Sequence, residues 1–310
     1  MSSGSGYGKT ILFGEHFVVY GMPAIASALG NVTTAEIEDS NVYELVDERP
    51  ATPSYKKEKY EEQLESNKLI FAACGINVDD TPIKVTLGGN LIAASGVGAS
   101  AASAAAIARA LNEHFNLGYD DERINEIAYE GEKGYHGKPS GIDNTAAVFG
   151  GLIWFVKNLE GGPNTMERLR MPEPVEIVLG NTGVTSSTKE VVADVRANKD
   201  ADPVGYERIF NEYNAVVTSA RESLVNGDYT EVGRLMNRNH SLLQEITVSC
   251  DELDTLVDAA RDAGALGAKL TGTGRGGLMQ ALTPGVGLQD KVAEAIEDMG
   301  FTAYRMRIGV

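Results

Sequence analysis

Residues 95–111 read SGVGASAASAAAIARAL. The head of this stretch, Ser95-Gly96-Val97-Gly98, is a turn of small residues. Its tail runs on to residue 115 as an alanine-rich segment, and alanine is the strongest helix former. A small-residue turn that opens straight into a helix leaves the first backbone N–H groups without intrahelical partners, at the positive end of the helix dipole. That combination suits phosphate oxygens. Ser100 falls in the first helical turn, where its hydroxyl can reach a magnesium ion riding on those phosphates. Gly96 to Ala101 also fits G-x-G-x-x-A, a weak dinucleotide fingerprint. A tight turn with serine caps explains the same residues without a ligand.

Working outward, residues 83–87 alternate as a strand, and a short apolar run at 91–94 leads into the turn. Residues 56–74 and 122–135 carry helical spacing. Towards the N-terminus, two β-like runs at 10–13 and 17–20 flank a polar elbow, Gly14-Glu15-His16. Downstream, residues 146–156 read as paired strands around Gly150-Gly151, and 175–179 as another strand. Helices are expected over 189–198, 206–224, 230–243 and 252–263, and strands over 268–270, 278–282 and 302–307. The pattern is α+β, helix-rich in the C-terminal half, with a boundary expected near Pro172-Glu173-Pro174.

Two further glycine-rich segments bear on phosphate binding. Gly4-Ser5-Gly6-Tyr7-Gly8-Lys9-Thr10 tempts a P-loop reading, but that motif needs its first glycine where Ser3 stands, and a strand before it. Residues 269–277, KLTGTGRGG, place a glycine cluster between two strands. This is either a flexible hairpin or a loop that approaches a ligand closely.

Glu132 and Asp143 lie eleven residues apart. Glu132 is near the end of a helix; Asp143 follows Pro139-Ser140-Gly141 in an expected turn. One carboxylate would suit magnesium and the other the substrate. Lys9, Glu15 and His16 share a short strand and its elbow, where a lysine can hold a transferring phosphoryl group. Taken singly, each is more often a solvated or structural residue.

The chain has 310 residues and a net charge of −17. Its 43% hydrophobic content supports a real core. So acidic a chain lacks the positive footprint of a general nucleic-acid binder, and no nucleic-acid partner is expected. Two cysteines, Cys74 and Cys250, are too few for a disulfide framework or a zinc site. No apolar span or leader is read, so no membrane association and a cytoplasmic location are expected.

In this order the segments resemble the GHMP kinase superfamily, and within it the mevalonate kinase branch of the trypanosomatid type. Gly8-Lys9-Thr10 through His16 resembles the first motif, and Ser95–Ser100 the phosphate loop. Residues 135–144, YHGKPSGIDN, resemble the segment with the catalytic aspartate, and Thr271 to Gly277 the third motif. Residues 181–189, NTGVTSSTK, also match that branch. Galactokinases carry an aspartate after Gly-Glu-His, where Phe17-Val18-Val19 stands here. Phosphomevalonate kinases tend to read Gly-Glu-Tyr, and the decarboxylases lack the elbow. Departures are Tyr7 for proline, Ala99 for the first serine of the phosphate loop, and Arg275 in the last glycine loop. Arg275 is expected to add charge to the phosphate pocket.

The resemblance implies a two-domain α+β fold. A ribosomal protein S5 domain 2-like, ATP-binding domain would cover residues 1–172 and a ferredoxin-like domain 173–310, with the active site between them. It implies ATP as co-substrate at Ala94, Ser95, Gly96, Val97, Gly98, Ala99 and Ser100, with Mg2+ on Ser100 and Glu132. Asp143 and Lys9 would be catalytic. Lys9, Glu15, His16, Asp143 and Thr188 would bind mevalonate, whose C5 hydroxyl would be phosphorylated to feed isoprenoid synthesis. A homodimer is expected from the same resemblance. Two alternatives stay open: a GHMP-type kinase for another hydroxyl (a sugar, or the C3 hydroxyl of mevalonate), and a catalytically silent nucleotide binder.

Overall fold

The computed structural model describes residues 2–310, which divide into two compact units. One comprises the residues up to Lys9 together with Ala28–Gly150; the other comprises Thr10–Ser27 and Gly151–Val310. Two long strands, β1 (Ser2–Phe13) and β2 (Ala24–Asp39), each contribute residues to both.

In the first unit, the latter half of β2 pairs antiparallel with β4 (Ile83–Gly89), from Thr33 opposite Gly89 to Asp39 opposite Ile83. Strand β3 (Glu44–Asp47) adds to β4 in parallel. The helices here are α1 (Tyr55–Glu58), α2 (Tyr60–Cys74), α3 (Ala99–His114), α4 (Asp121–His136) and α5 (Ile142–Phe149). Ile37, Val85 and Leu87 from the strands meet Ile70, Ile107, Leu111, Ile124 and Ile127 in one core. Alanine is what lets α3 sit at its centre: positions 99 to 108 are all buried. Strand β1 lies so close to α3 that a Cβ on Gly6 would stand 2.9 Å from the Ala105 Cβ. The alternating glycines of the N-terminus therefore serve close packing, and the P-loop reading fails on geometry as well as on spacing.

In the second unit, β5 (Leu152–Val156) pairs with the start of β2, Ala24 opposite Phe155, and with β6 (Thr165–Leu169). Strand β7 (Val175–Asn181) is followed by α6 (Thr188–Ala201), α7 (Pro203–Asn226), α8 (Tyr229–Glu245) and α9 (Asp251–Asp262). Then come β8 (Gly267–Thr271), β9 (Leu278–Leu282), α10 (Val286–Asp298) and β10 (Thr302–Ile308). The strands run in the order β10-β7-β9-β8, all antiparallel.

Two expectations are corrected. Residues 17–20 form a 3-10 turn, not a strand. Gly14 and Gly21, both at positive φ, bracket it, and Phe17 is drawn down to stack on Tyr213 at 3.9 Å. Residues 146–149 belong to α5, so Asp143 sits in the first turn of a helix rather than in a loop. Only 152–156 of the expected strand pair is extended there.

Candidate active site

The first unit gathers Lys9, Ser100, Glu132 and Asp143. Lys9 lies near the end of β1, and its backbone N–H donates to the Val97 carbonyl at 2.8 Å, tying the strand to the small-residue turn at 95–98. Gly98 closes that turn at φ +70, and a Cβ there would stand 3.0 Å from the Lys9 Cβ. The turn thus needs glycine twice over, for backbone conformation and for space. The Lys9 ammonium stands 3.0 Å from Asp143 Oδ1; the lysine side chain is 10% exposed and the aspartate 29%.

Glu132 comes from the last turns of α4. It is buried, its Oε1 has no hydrogen-bond partner among the described residues, and the Ser100 hydroxyl donates to its carboxylate. Burial, and then the charge of Asp143, push its pKa up to about 8. His136 Nε2 lies 3.8 Å from Glu132 Oε2. Glu132, His136, Lys138, Ser140 and Asp143 line a cavity of about 230 Å3. A lysine-paired carboxylate thus adjoins a buried acid hydrogen-bonded to the first turn of α3.

Beneath this turn lies a network that sequence reading does not find. The Arg49 guanidinium is held by Asp47 at 2.7 Å, bonds the Ser103 hydroxyl and reaches the Ala99 carbonyl at 3.5 Å. It braces the first turn of α3 from below. Gln63 Oε1 also accepts from it at 3.3 Å, and because Gln63 and Ser103 lie far along the chain from Arg49, nothing in the local sequence signals the network.

The second unit brings His16 and Thr188 to one residue. His16 Nε2 lies 2.6 Å from the Thr273 carbonyl oxygen. Thr188 Oγ1, in the first turn of α6, lies 2.6 Å from Thr273 Oγ1. Ser187 caps α6, its side chain accepting from the Glu190 N–H. Glu15 does not stand free: its Oε1 is 2.5 Å from Lys269 Nζ, and both side chains are buried.

Known proteins supply the decision. The family described as GHMP kinases N terminal domain matches residues 64–151, and GHMP kinases C terminal matches 220–301. The mevalonate kinase of Pyrococcus abyssi is 36% identical, over 97% of this chain and 93% of its own length. That of Pyrococcus horikoshii is also 36% identical, over 94% and 91%. The crystal structure of L. major mevalonate kinase in complex with R-mevalonate superimposes with a TM-score of 0.93 at 38% identity, covering 99% of this chain and 96% of that one. This chain belongs to the GHMP kinase family. The expected α+β fold and the expected likeness to a trypanosomatid enzyme both hold.

In this GHMP kinase the Arg275 expectation is corrected. The guanidinium pairs with Asp194 at 2.5 Å and donates to the Thr247 carbonyl at 3.0 Å, so its charge is already engaged on α6. Lys269, the buried partner of Glu15, is a residue that sequence reading passes over. A lysine among the small and apolar residues of 267–270, just ahead of the glycine loop, is the available signal.

Proposed function

We propose that this kinase phosphorylates the C5 hydroxyl of mevalonate with ATP as donor. The Lys9–Asp143 pair beside a phosphate-binding turn carries the reading, since it is what in-line transfer to an alcohol requires. Mevalonate kinases at 34–36% identity over nearly the whole chain support the choice of acceptor. The ATP phosphates would lie against residues 94–100, taking N–H groups from the first turn of α3.

Asp143 would accept the proton of the acceptor hydroxyl. The Lys9 ammonium would stabilise the oxygen as its charge develops and the γ-phosphoryl as it transfers. C5 bears a primary hydroxyl and C3 a tertiary one, so C5 is the less hindered nucleophile. His16 and Thr188 would orient mevalonate. Magnesium fits the residues present. Among the described residues no group of three or more His, Cys, Asp or Glu converges. A magnesium ion held largely by phosphate oxygens needs only one or two protein ligands. The unpartnered Oε1 of buried Glu132 supplies one and the Ser100 hydroxyl another. Bound there, the ion would neutralise phosphate charge.

The family's two modules would divide near residue 172 in the sequence, whereas the compact units of the fold change over at Gly150–Gly151. A homodimer and a cytoplasmic location belong to the same proposal. Among the described residues no helix is long and apolar enough to cross a membrane.

The experiment is turnover with R-mevalonate and ATP in a coupled ADP-release assay, with the product's phosphorylated carbon assigned by NMR. The 5-phosphate is expected. Turnover with a sugar and none with mevalonate would replace the acceptor; silence with every alcohol would leave a nucleotide binder.

A further inference from the structure

The Lys269–Glu15 pair lies outside the mechanism just described, and it is an odd thing for a strand core to contain. Every residue of β8 is buried. Among the described residues Lys269 Nζ has two partners, Glu15 Oε1 at 2.5 Å and the Leu270 carbonyl at 2.6 Å. The other oxygen of Glu15 has none among the described residues. A buried ion pair with an orphan oxygen is a poor stabiliser, and apolar residues of the same volume would pack at least as well.

What the pair does hold is the elbow. Glu15 is flanked by Gly14 at φ +122 and by His16 at φ +62, a left-handed conformation that few residues other than glycine adopt. The turn is tight: the Phe17 N–H donates to the Glu15 carbonyl at 2.7 Å and the Val18 N–H to the Gly14 carbonyl at 3.0 Å. His16 is 6% exposed. Because a carbonyl oxygen only accepts, the 2.6 Å contact with Thr273 requires the hydrogen on Nε2. Burial, the largest effect, pushes the imidazole pKa down, and so does Arg275; the Thr273 hydrogen bond and Glu15 pull against them without prevailing. The ring is therefore neutral, with its lone pair on Nδ1. That atom is buried and has no partner among the described residues. A buried acceptor without a donor calls for one from a ligand.

We propose that Lys269 is a positioning residue: by fixing Glu15 it holds the elbow so that His16 Nδ1 is offered as the acceptor for a hydroxyl of the substrate. This rests on the alcohol-kinase reading above. It makes His16 a reader of a hydroxyl donor, not of a carboxylate, and places its control in β8.

The test uses the full chain and two variants, Lys269→Met and the charge-neutral Glu15→Gln/Lys269→Met. The double variant leaves no uncompensated charge, so it carries the test if the single one does not fold. The expected result is a folded double variant whose KM for mevalonate rises about tenfold or more while its KM for ATP stays within about twofold. In 15N-histidine NMR spectra the wild type should show His16 as a single Nε2–H tautomer, and the double variant should lose it. An unchanged KM for mevalonate, equal changes in both KM values, an unchanged tautomer or a double variant that cannot fold would each overturn the proposal. The tautomer measurement needs no substrate, so it stands even if the wild type fails to turn over mevalonate, an outcome that would strike only at the alcohol reading.

Discussion

At the scale of single residues, Asp143 and Glu132 are two carboxylates of one cluster with opposite surroundings. Asp143 has a lysine ammonium at 3.0 Å and partial exposure; Glu132 has neither. Asp143→Asn keeps the shape and removes the base. Its kcat should fall by roughly 10²- to 10⁴-fold while ATP affinity, measured by equilibrium binding, stays within a few-fold. Near-normal turnover would remove Asp143 from the chemistry. For Glu132 the linkage runs the other way from an ordinary ion-paired acid. Its pKa, raised to about 8 in the fold from an ordinary value of 4.5, means that the folded protein holds a proton the unfolded chain releases. Stability is therefore lost as pH rises from about 4.5 to 8. Glu132→Gln should flatten that part of the Tm-against-pH curve, measured calorimetrically without magnesium. A slope equal to that of the wild type would show that Glu132 ionises normally.

At the scale of elements, the closest packing is between β1 and α3, where small residues on both sides let a strand lie on a helix. Gly6→Ala would drive a Cβ into the Ala102 backbone carbonyl and to 2.9 Å from the Ala105 Cβ, neither of which can move without disturbing α3. The expected cost is about 3 kcal/mol in urea unfolding, the upper end of overpacking penalties, and any rise in the KM for ATP should accompany that loss. A raised KM without a loss of stability would restore the phosphate role for this segment. These elements also show what could be read from sequence. Helix α3 is legible from its alanine content, and α4, α7, α8 and α9 because each keeps one apolar stripe over several turns. Strand β2 was missed because its pattern changes midway: six consecutive buried residues, then Gly30 and Asn31, then alternation. Helix α5 was misread because eight residues rich in β-branched and small side chains fit either period. Helix α10 was passed over although Val292, Ala293 and Ile296 carry helical spacing. Lys9, Ser100, Glu132 and Asp143 were found as motif residues. Their convergence in one cluster was not legible from the chain, since it depends on β1, α3, α4 and α5 packing together.

At the scale of the whole molecule, charge is the dominant departure from an ordinary protein. With 44 acidic and 27 basic side chains, the folded surface repels itself. Ion pairs such as Arg221–Glu167 and Arg305–Glu297 work against this, but they are partly exposed, and each is worth only about 0–1 kcal/mol. Salt screens both effects, with a Debye length near 10 Å at about 0.1 M that shrinks to roughly 3 Å at 1 M. Repulsion among the 17 excess negative charges is long-ranged and is screened first; the 2.7–2.8 Å pairs are short-ranged and persist. Repulsion therefore decides the sign. At pH 7 the Tm should rise by several degrees as NaCl goes from about 0.01 M to 0.5 M, and equally with KCl. At pH near 4.7, where the net charge vanishes, the same series should leave Tm flat or lower it slightly. A Tm that climbs equally at both pH values would point to general exclusion of salt from the surface, as kosmotropes act, and would rule out charge repulsion as the cause.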